Sequence, residues 1–164
     1  VRPTSDRVKE ALFSMIGSRF ALEGARILDL YAGSGGLGIE ALSRGAGEVV
    51  FIERHAAAAQ VVRRNLEACG FRARVLVTPA QRALDRLEAE GAVFAGVLID
   101  PPYASSEAEA SMARLGAGSL LAPDAWVAVE HDASKLLPER CGRLGLILTR
   151  RYGNTLVSIY GDDD

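Results

Sequence analysis

The feature that most constrains the fold is a repeated alternation of short apolar runs with segments of helical periodicity. Each apolar run has the length of a strand and lacks the polar alternation of a half-exposed strand, which is typical of strands buried on both faces. Such strands, alternating with helices, form a mostly parallel α/β sheet that is covered by helices on both faces. We predict strands at 25–30, 48–53, 74–78, 97–99, 126–130, 144–151 and 156–160, and helices at about 5–19, 36–43, 56–68, 81–90 and 107–115.

The last two predicted strands differ from the others in their connection. They flank Tyr152-Gly153-Asn154-Thr155, a short turn that predicts an antiparallel hairpin at the C-terminus. The chain has 164 residues, 49% of them apolar, which suffices for one core and is too little for two ordinary domains. We therefore expect one domain over 1–164, and the start at Val1 rather than Met suggests a preceding N-terminal segment.

Several function classes are excluded by what the sequence lacks. No apolar run approaches the roughly 20 residues of a membrane-spanning helix, and the N-terminus has no secretory signal pattern, so we expect a cytoplasmic protein without membrane contact. The two cysteines, Cys69 and Cys141, are far apart and have no paired spacing, which predicts reduced, mostly buried thiols. The histidines His55 and His131 fit no metal pattern, and we expect no metal site.

A glycine loop follows the first predicted strand. Gly33, Gly35 and Gly38 match the G-x-G-x-x-G pattern between a strand and a helix, where the backbone can approach a ligand closely. Glu53 ends the next strand, where a carboxylate can accept hydrogen bonds from both hydroxyls of a ribose. These features predict an adenosine-containing cofactor. Asp29 favours a positively charged ligand such as S-adenosylmethionine over the pyrophosphate of a nicotinamide or flavin dinucleotide, although the pattern leaves both open.

The second loop of interest is Asp100-Pro101-Pro102-Tyr103, at the carboxyl end of a predicted central strand. Open α/β sheets bind ligands at this edge. The two prolines fix their φ angles and lack N–H donors, so carbonyls there can face an NH₂ group together with the Asp100 carboxylate. Tyr103 offers a flat face on which a planar base can stack, once that base is unpaired or flipped out. The sequence thus predicts methyl transfer to an exocyclic amine, with Asp100 positioning the nitrogen.

The formal net charge of −2 gives no general attraction to a polyanion, so RNA contact requires a local cluster of basic residues. Candidates for RNA contact are Arg2, Arg7, Lys9, Arg150 and Arg151.

Trp126 begins an apolar strand and is expected in the core.

Four stretches together resemble one known family. They are 2–13, 29–46, 100–103 and 151–155, and they are similar to the bacterial small-subunit ribosomal RNA guanine-N2 methyltransferases over nearly the whole chain. The resemblance implies a single Rossmann-like domain with a mostly parallel, twisted seven-stranded sheet. It also implies a monomer that transfers a methyl group from S-adenosylmethionine, leaving S-adenosylhomocysteine, to the N2 amine of a guanine in 16S rRNA or an assembling small ribosomal subunit.

The resemblance, together with the two loops, gives a set of expected site residues. Cofactor contact is expected from Asp29, Tyr31, Ala32, Gly33, Ser34, Gly35, Glu53, Arg54 and Asp100. Amine and base contact is expected from Asp100, Pro101, Pro102 and Tyr103, and RNA contact from Arg2, Arg7, Lys9 and Arg151.

The chain departs from the family pattern at three places. The basic, glycine-rich hairpin that usually precedes the Arg2 block does not lie within residues 1–164, and we expect it in the segment before Val1. Residues 78–81 lack the acidic residue that binds the adenine amine in many methyltransferases, and Asn154 replaces a common Asp. Other functions stay open from the residues alone. They are methylation of an adenine N6 amine or a protein glutamine, NAD(P)-dependent oxidoreduction, and RNA binding without catalysis.

Overall fold

The computed structural model describes residues 5–102 and 106–162. The five helices of this part are α1 (Asp6–Gly17), α2 (Gly36–Ser43), α3 (Ala56–Ala68), α4 (Ala80–Ala89) and α5 (Glu107–Ala117). Its eight strands are β1 (Arg26–Asp29), β2 (Glu48–Glu53), β3 (Arg74–Val77), β4 (Phe94–Ile99), β5 (Leu121–Asp132), β6 (Arg140–Cys141), β7 (Leu144–Tyr152) and β8 (Thr155–Asp162). None of the helices in the described ranges is both long and apolar enough to cross a membrane.

All of these strands join one sheet in the order β3-β2-β1-β4-β5-β8-β7-β6. The first five are parallel to one another, while β8, β7 and β6 pair antiparallel. The predicted C-terminal hairpin is confirmed as β7 and β8. The prediction of seven strands is wrong, because the described residues form an eighth: Arg140 and Cys141 pair with Gly145 and Leu144 across a turn at Gly142. A strand of two residues is too short to show a periodicity in the sequence.

Helices cover both faces of the sheet, as the sequence predicts. Side chains alternate along β1, so that Leu28 packs into one hydrophobic core and Ile27 into the other. The first core is closed by α4 and α5, and the second by α1, α2 and α3. Trp126 is buried in the second core, which confirms the expectation for this residue.

The local signals explain where most elements begin and end. Helix α1 starts after Ser5, whose hydroxyl accepts a hydrogen bond from the Val8 amide at 3.2 Å, and it ends at Gly17, two residues before the predicted end. Strand β5 begins at Leu121, earlier than predicted, because this part pairs with β4 before a shift of register. The expectation of buried thiols is wrong, since Cys69 is exposed after the end of α3 and Cys141 is half-buried in the edge strand β6.

The carboxyl ends of β1, β2, β3, β4 and β5 lie along one side of the sheet, here called the carboxyl edge. The β7–β8 turn lies at the same edge, because Thr155 pairs with Asp132 at the end of β5 and the Ala133 amide donates to the Asn154 carbonyl at 2.8 Å. The sequence order changes direction between β1 and β4, which are neighbours in the sheet. Ligands of open α/β sheets bind at such a switch point.

Candidate active site

The glycine loop turns the chain from β1 into α2. Gly33 and Gly35 have φ values of 57° and 88°, which glycine adopts without the strain that a side chain would bring. The Gly35 amide donates to the Ala32 carbonyl at 2.8 Å and closes the turn. Asn65 of α3 braces the loop from outside, since its side-chain amide donates to the Ser34 carbonyl at 2.8 Å. The loop is therefore held in place by the protein itself.

Asp29 lies beneath this loop and is buried, with 1% of its surface exposed. One carboxylate oxygen accepts a hydrogen bond from the Gly38 amide in the first turn of α2 at 3.0 Å, while Oδ1 has no hydrogen-bond partner among the residues that the structure describes. Burial raises the pKa of Asp29 from 3.8 to about 7; the Gly38 hydrogen bond opposes this rise, and the charges of Asp100 and Glu53 add to it. Asp29 thus supports the loop through the first turn of α2, and it is not among the residues that line the pocket described below.

Glu53, at the end of β2, joins two loops of the carboxyl edge. Its Oε1 accepts a hydrogen bond from the Gly33 amide at 3.0 Å, and its Oε2 accepts one from the His55 amide at 2.8 Å. The side chain is buried at the pocket wall. Each carboxylate oxygen can accept more than one hydrogen bond, so Glu53 keeps acceptor capacity for a ligand.

Tyr31 connects the glycine loop with α5. Its hydroxyl lies 2.7 Å from Ser111 Oγ and donates to the Glu107 carbonyl at 3.4 Å. Burial is the main reason that the pKa of Tyr31 rises to about 12. The phenol therefore stays neutral and ties the first turn of α5 to the loop after β1.

One pocket at the carboxyl edge collects seven of the twelve residues predicted for cofactor and base contact. It encloses about 640 Å³, part of it open to solvent, which is within the usual size of small-molecule sites. Gly33 and Asp100 face this same pocket, so the two loops meet. Predicted residues in its wall are Tyr31, Gly33, Glu53, Arg54, Asp100, Pro101 and Pro102, and further wall residues are Leu30, Ile52, His55, Thr78, Ala80 and Glu107.

Some predicted residues lie elsewhere. Ala32, Ser34 and Gly35 belong to the loop but not to the described wall of the pocket. Tyr103 and Arg2 lie outside the described residues. No described group of three or more metal-binding side chains could hold an ion.

Sequence reasoning missed several wall residues. Thr78 and Ala80 belong to the segment 78–81, which received no predicted contact because it lacks an acidic residue, although the rule that parallel strands end at one edge places this segment beside the pocket. His55, which fits no metal pattern in the sequence, is exposed after the end of β2; it also lines the pocket, and its amide donates to Glu53 Oε2 at 2.8 Å. Glu107 carries no motif, and only the packing of α5 brings it to the wall.

The basic candidates separate into two groups. The Arg7 guanidinium lies over the Tyr152 ring, 5.7 Å from its centroid, and the exposed Arg151 donates to the Gly153 carbonyl at 2.8 Å, so both lie at the β7–β8 turn. Lys9 instead faces α2 and pairs with Glu40 at 3.9 Å and with Asp6 at 3.7 Å.

His131 forms hydrogen bonds through both of its ring nitrogens. Its Nδ1 lies 2.8 Å from the Lys135 carbonyl and its Nε2 lies 2.8 Å from Ser158 Oγ. Burial lowers the pKa of His131, so the neutral ring donates through Nδ1 and accepts from the serine. This arrangement fixes the chain after β5.

The sheet and its two loops have the Rossmann-like fold of S-adenosylmethionine-dependent methyltransferases. The chain belongs to the family described as "Conserved hypothetical protein 95", whose model matches residues 1–161. It is 42% identical over 161 residues to the "Putative rRNA methyltransferase YlbH" of Bacillus subtilis, covering 97% of this chain and 86% of that protein.

Two further comparisons agree with this family. The chain is 34% identical to "Ribosomal RNA small subunit methyltransferase D" of Haemophilus influenzae, covering 94% of this chain and 83% of the relative. The solved "Putative methyltransferase yhhF" from Escherichia coli superposes with a TM-score of 0.87 at 30% identity, covering 99% of this chain and 89% of that one.

Proposed function

We propose that this protein transfers a methyl group from S-adenosylmethionine to the N2 amine of a guanine in 16S rRNA. The observation that carries the proposal is the shared pocket, in which the glycine loop and Glu53 face Asp100 and Pro101. The names of the relatives support ribosomal RNA of the small subunit as the substrate. The guanine and its N2 atom follow from the resemblance of the motifs.

The charges of the pocket fit this cofactor better than a dinucleotide. Glu53 has acceptor capacity for the two ribose hydroxyls, and Asp100 adds negative charge to the wall. Helix N-termini bind pyrophosphates through free amides, but here the Gly38 amide in the first turn of α2 already donates a hydrogen bond to Asp29. A ligand with a sulfonium and an ammonium is attracted to these carboxylates, whereas a pyrophosphate is repelled.

At the acceptor end, Asp100 and the Pro101 carbonyl accept hydrogen bonds from the two N–H groups of the amine. This orients the nitrogen lone pair toward the cofactor side of the pocket. Tyr103, which follows these residues in the chain, is proposed to stack on the base. The bound cofactor supplies an electrophilic methyl group, so the protein contributes mainly alignment. Asp100 also stabilises the positive charge that develops on the amine.

The test uses labelled S-adenosylmethionine and undermethylated small ribosomal subunits, followed by mapping of the labelled nucleoside. We expect N2-methylguanosine at one position of 16S rRNA. Asp100→Ala should lower the rate about 100-fold or more because the amine loses its alignment, while cofactor affinity stays close to wild type. Asp85→Ala, at an exposed site on α4, is the matched control and should keep full activity.

Other outcomes would overturn parts of the proposal. Label in N6-methyladenosine or in a protein glutamine would redirect the acceptor, and saturable binding of NADH without S-adenosylmethionine would remove the cofactor. Undiminished activity of Asp100→Ala would remove Asp100 from the mechanism.

A further inference from the structure

Glu107 is a pocket residue that the proposed reaction leaves without a role. It is the first residue of α5, and it lines the same wall as Asp100, Pro101 and Pro102. It is half-exposed, and within the described residues its carboxylate makes no hydrogen bond and no ion pair. A carboxylate that faces a pocket without a partner can accept hydrogen bonds from a ligand.

The position of Glu107 is fixed by contacts behind it. The Tyr31 hydroxyl donates to the Glu107 carbonyl at 3.4 Å and lies 2.7 Å from Ser111 Oγ, one turn further along α5. Ser111 is fully buried, so this link belongs to the packed interior. The first turn of α5 therefore presents Glu107 to the pocket from a rigid support.

The side of the pocket on which Glu107 lies favours the base over the cofactor. Helix α5 connects β4 to β5 and packs on β5, whereas Glu53 lies at the end of β2 on the opposite side of β1. Asp100 directly follows β4, which lies between β1 and β5 in the sheet. Glu107 begins the helix that follows Asp100, Pro101 and Pro102, and its carbonyl accepts from Tyr31 after β1, so it lies among residues that follow β1 and β4 rather than at the β2 end with Glu53.

The chemistry of guanine matches two carboxylates in the wall of one pocket. Its N1–H and its N2 amine are adjacent donors on one edge, whereas adenine and 2-aminopurine have a lone pair at N1. We infer that Glu107 is a specificity-determining residue that accepts the guanine N1–H hydrogen bond while Asp100 holds the N2 amine. This inference rests on the proposed function. A site built to accept a hydrogen bond from one donor disfavours the analogue that lacks it, because the carboxylate then faces the N1 lone pair of the base without a hydrogen bond.

The test replaces the target guanine by 2-aminopurine, which keeps the N2 amine and presents a lone pair at N1. The target is first mapped with wild-type protein, and a synthetic rRNA fragment carrying either base is then ligated and assembled into small subunits. The measured quantity is the ratio of kcat/KM for guanine to kcat/KM for 2-aminopurine. In Glu107→Gln the amide can donate to N1, so the ratio should fall about tenfold or more.

The matched control is Glu109→Gln, which makes the same change at an exposed position of α5 outside the described pocket wall. It should keep the wild-type ratio. Glu107→Ala removes the acceptor without adding a donor, so it should lower the rate on guanine and leave the rate on 2-aminopurine equal or higher, because no carboxylate then faces the N1 lone pair. Thermal melting and S-adenosylmethionine titration of each variant confirm that folding and cofactor binding are intact.

Two results would overturn the inference while the proposed function stands. One is a wild-type ratio in Glu107→Gln with normal methylation of guanine. The other is weakened S-adenosylmethionine binding at an unchanged ratio, which would place Glu107 beside the cofactor ammonium. If wild-type protein methylates no guanine, the proposed function itself fails, and that result is separate from the effect of the variants.

Discussion

Burial of the Asp29 carboxyl group opposes its ionisation, so the stability of the folded protein depends on pH. The native carboxyl has a pKa of about 7, against 3.8 for the exposed group. Between these values the native state binds more protons than the unfolded state, so stability falls as pH rises from about 4 to about 7. Over the whole of this range the free energy of unfolding falls by about 4 kcal/mol.

We therefore predict that Asp29→Asn, measured without cofactor, gains stability relative to wild type as the pH is raised. The neutral amide can keep the Gly38 hydrogen bond through its oxygen and carries no charge to bury. The relative gain between pH 5 and pH 8 should be about 2–3 kcal/mol in urea unfolding. Parallel stability curves of the two proteins over this range would show that Asp29 is ionised in the native state throughout.

At the scale of elements, the packing of α2 on β2 depends on a glycine. A Cβ at Gly38 would lie 2.3 Å from the Phe51 ring and 2.9 Å from Asp29 Oδ2, and Phe51 is fully buried. At Gly36, in the same helix, the nearest atom to an added Cβ is Ser34 Oγ at 3.9 Å. The two glycines therefore differ in packing although they belong to one motif.

Gly38→Ala should destabilise the protein by about 1–3 kcal/mol, because the ring and the helix must move apart. Gly36→Ala should leave stability unchanged or raise it slightly, since alanine loses less conformational entropy in a helix. Urea denaturation of both variants decides between these outcomes. Equal stability of the two would mean that α2 can shift away from β2 at little cost.

At the scale of the whole molecule, the net charge of −2 requires that RNA binding arise from local groups. Arg7 and Arg151 lie at the β7–β8 turn, on the same edge as the pocket, whereas Lys9 is paired with acidic residues of α1 and α2. The fold thus separates basic residues that are neighbours in the sequence.

We predict that the double variant Arg7→Ala, Arg151→Ala binds small-subunit rRNA more weakly than wild type. The plot of the logarithm of the binding constant against the logarithm of the salt concentration should become less steep by about one unit for each lost phosphate contact. Lys9→Ala, the matched control, should keep the wild-type slope. Binding titrations at several salt concentrations measure both. An equal loss of slope in Lys9→Ala would show that its ion pairs open and that α1 contacts the RNA along its whole length.

The periodicity of the sequence was sufficient for most of the secondary structure. The bounds of α2, α3 and β2 agree with the prediction, because a glycine turn, a helix stop or an apolar run each acts locally. The two-residue strand β6 and the early start of β5 could not be predicted, since both depend on partners far along the chain. For the site, motif spacing was enough to find Gly33, Glu53 and Asp100, which all lie in the pocket wall.

By itself the sequence determined the alternation of strands and helices, the glycine turn and the two loops that follow β1 and β4. Only the tertiary structure decided that Asp29 is buried beneath the loop, that Lys9 is paired away from the edge, and that Glu107 faces the pocket. Backbone conformation follows from neighbouring residues, so it can be predicted locally. Burial, ion pairing and the composition of a pocket wall depend on which distant segments meet, and that is settled when the sheet assembles.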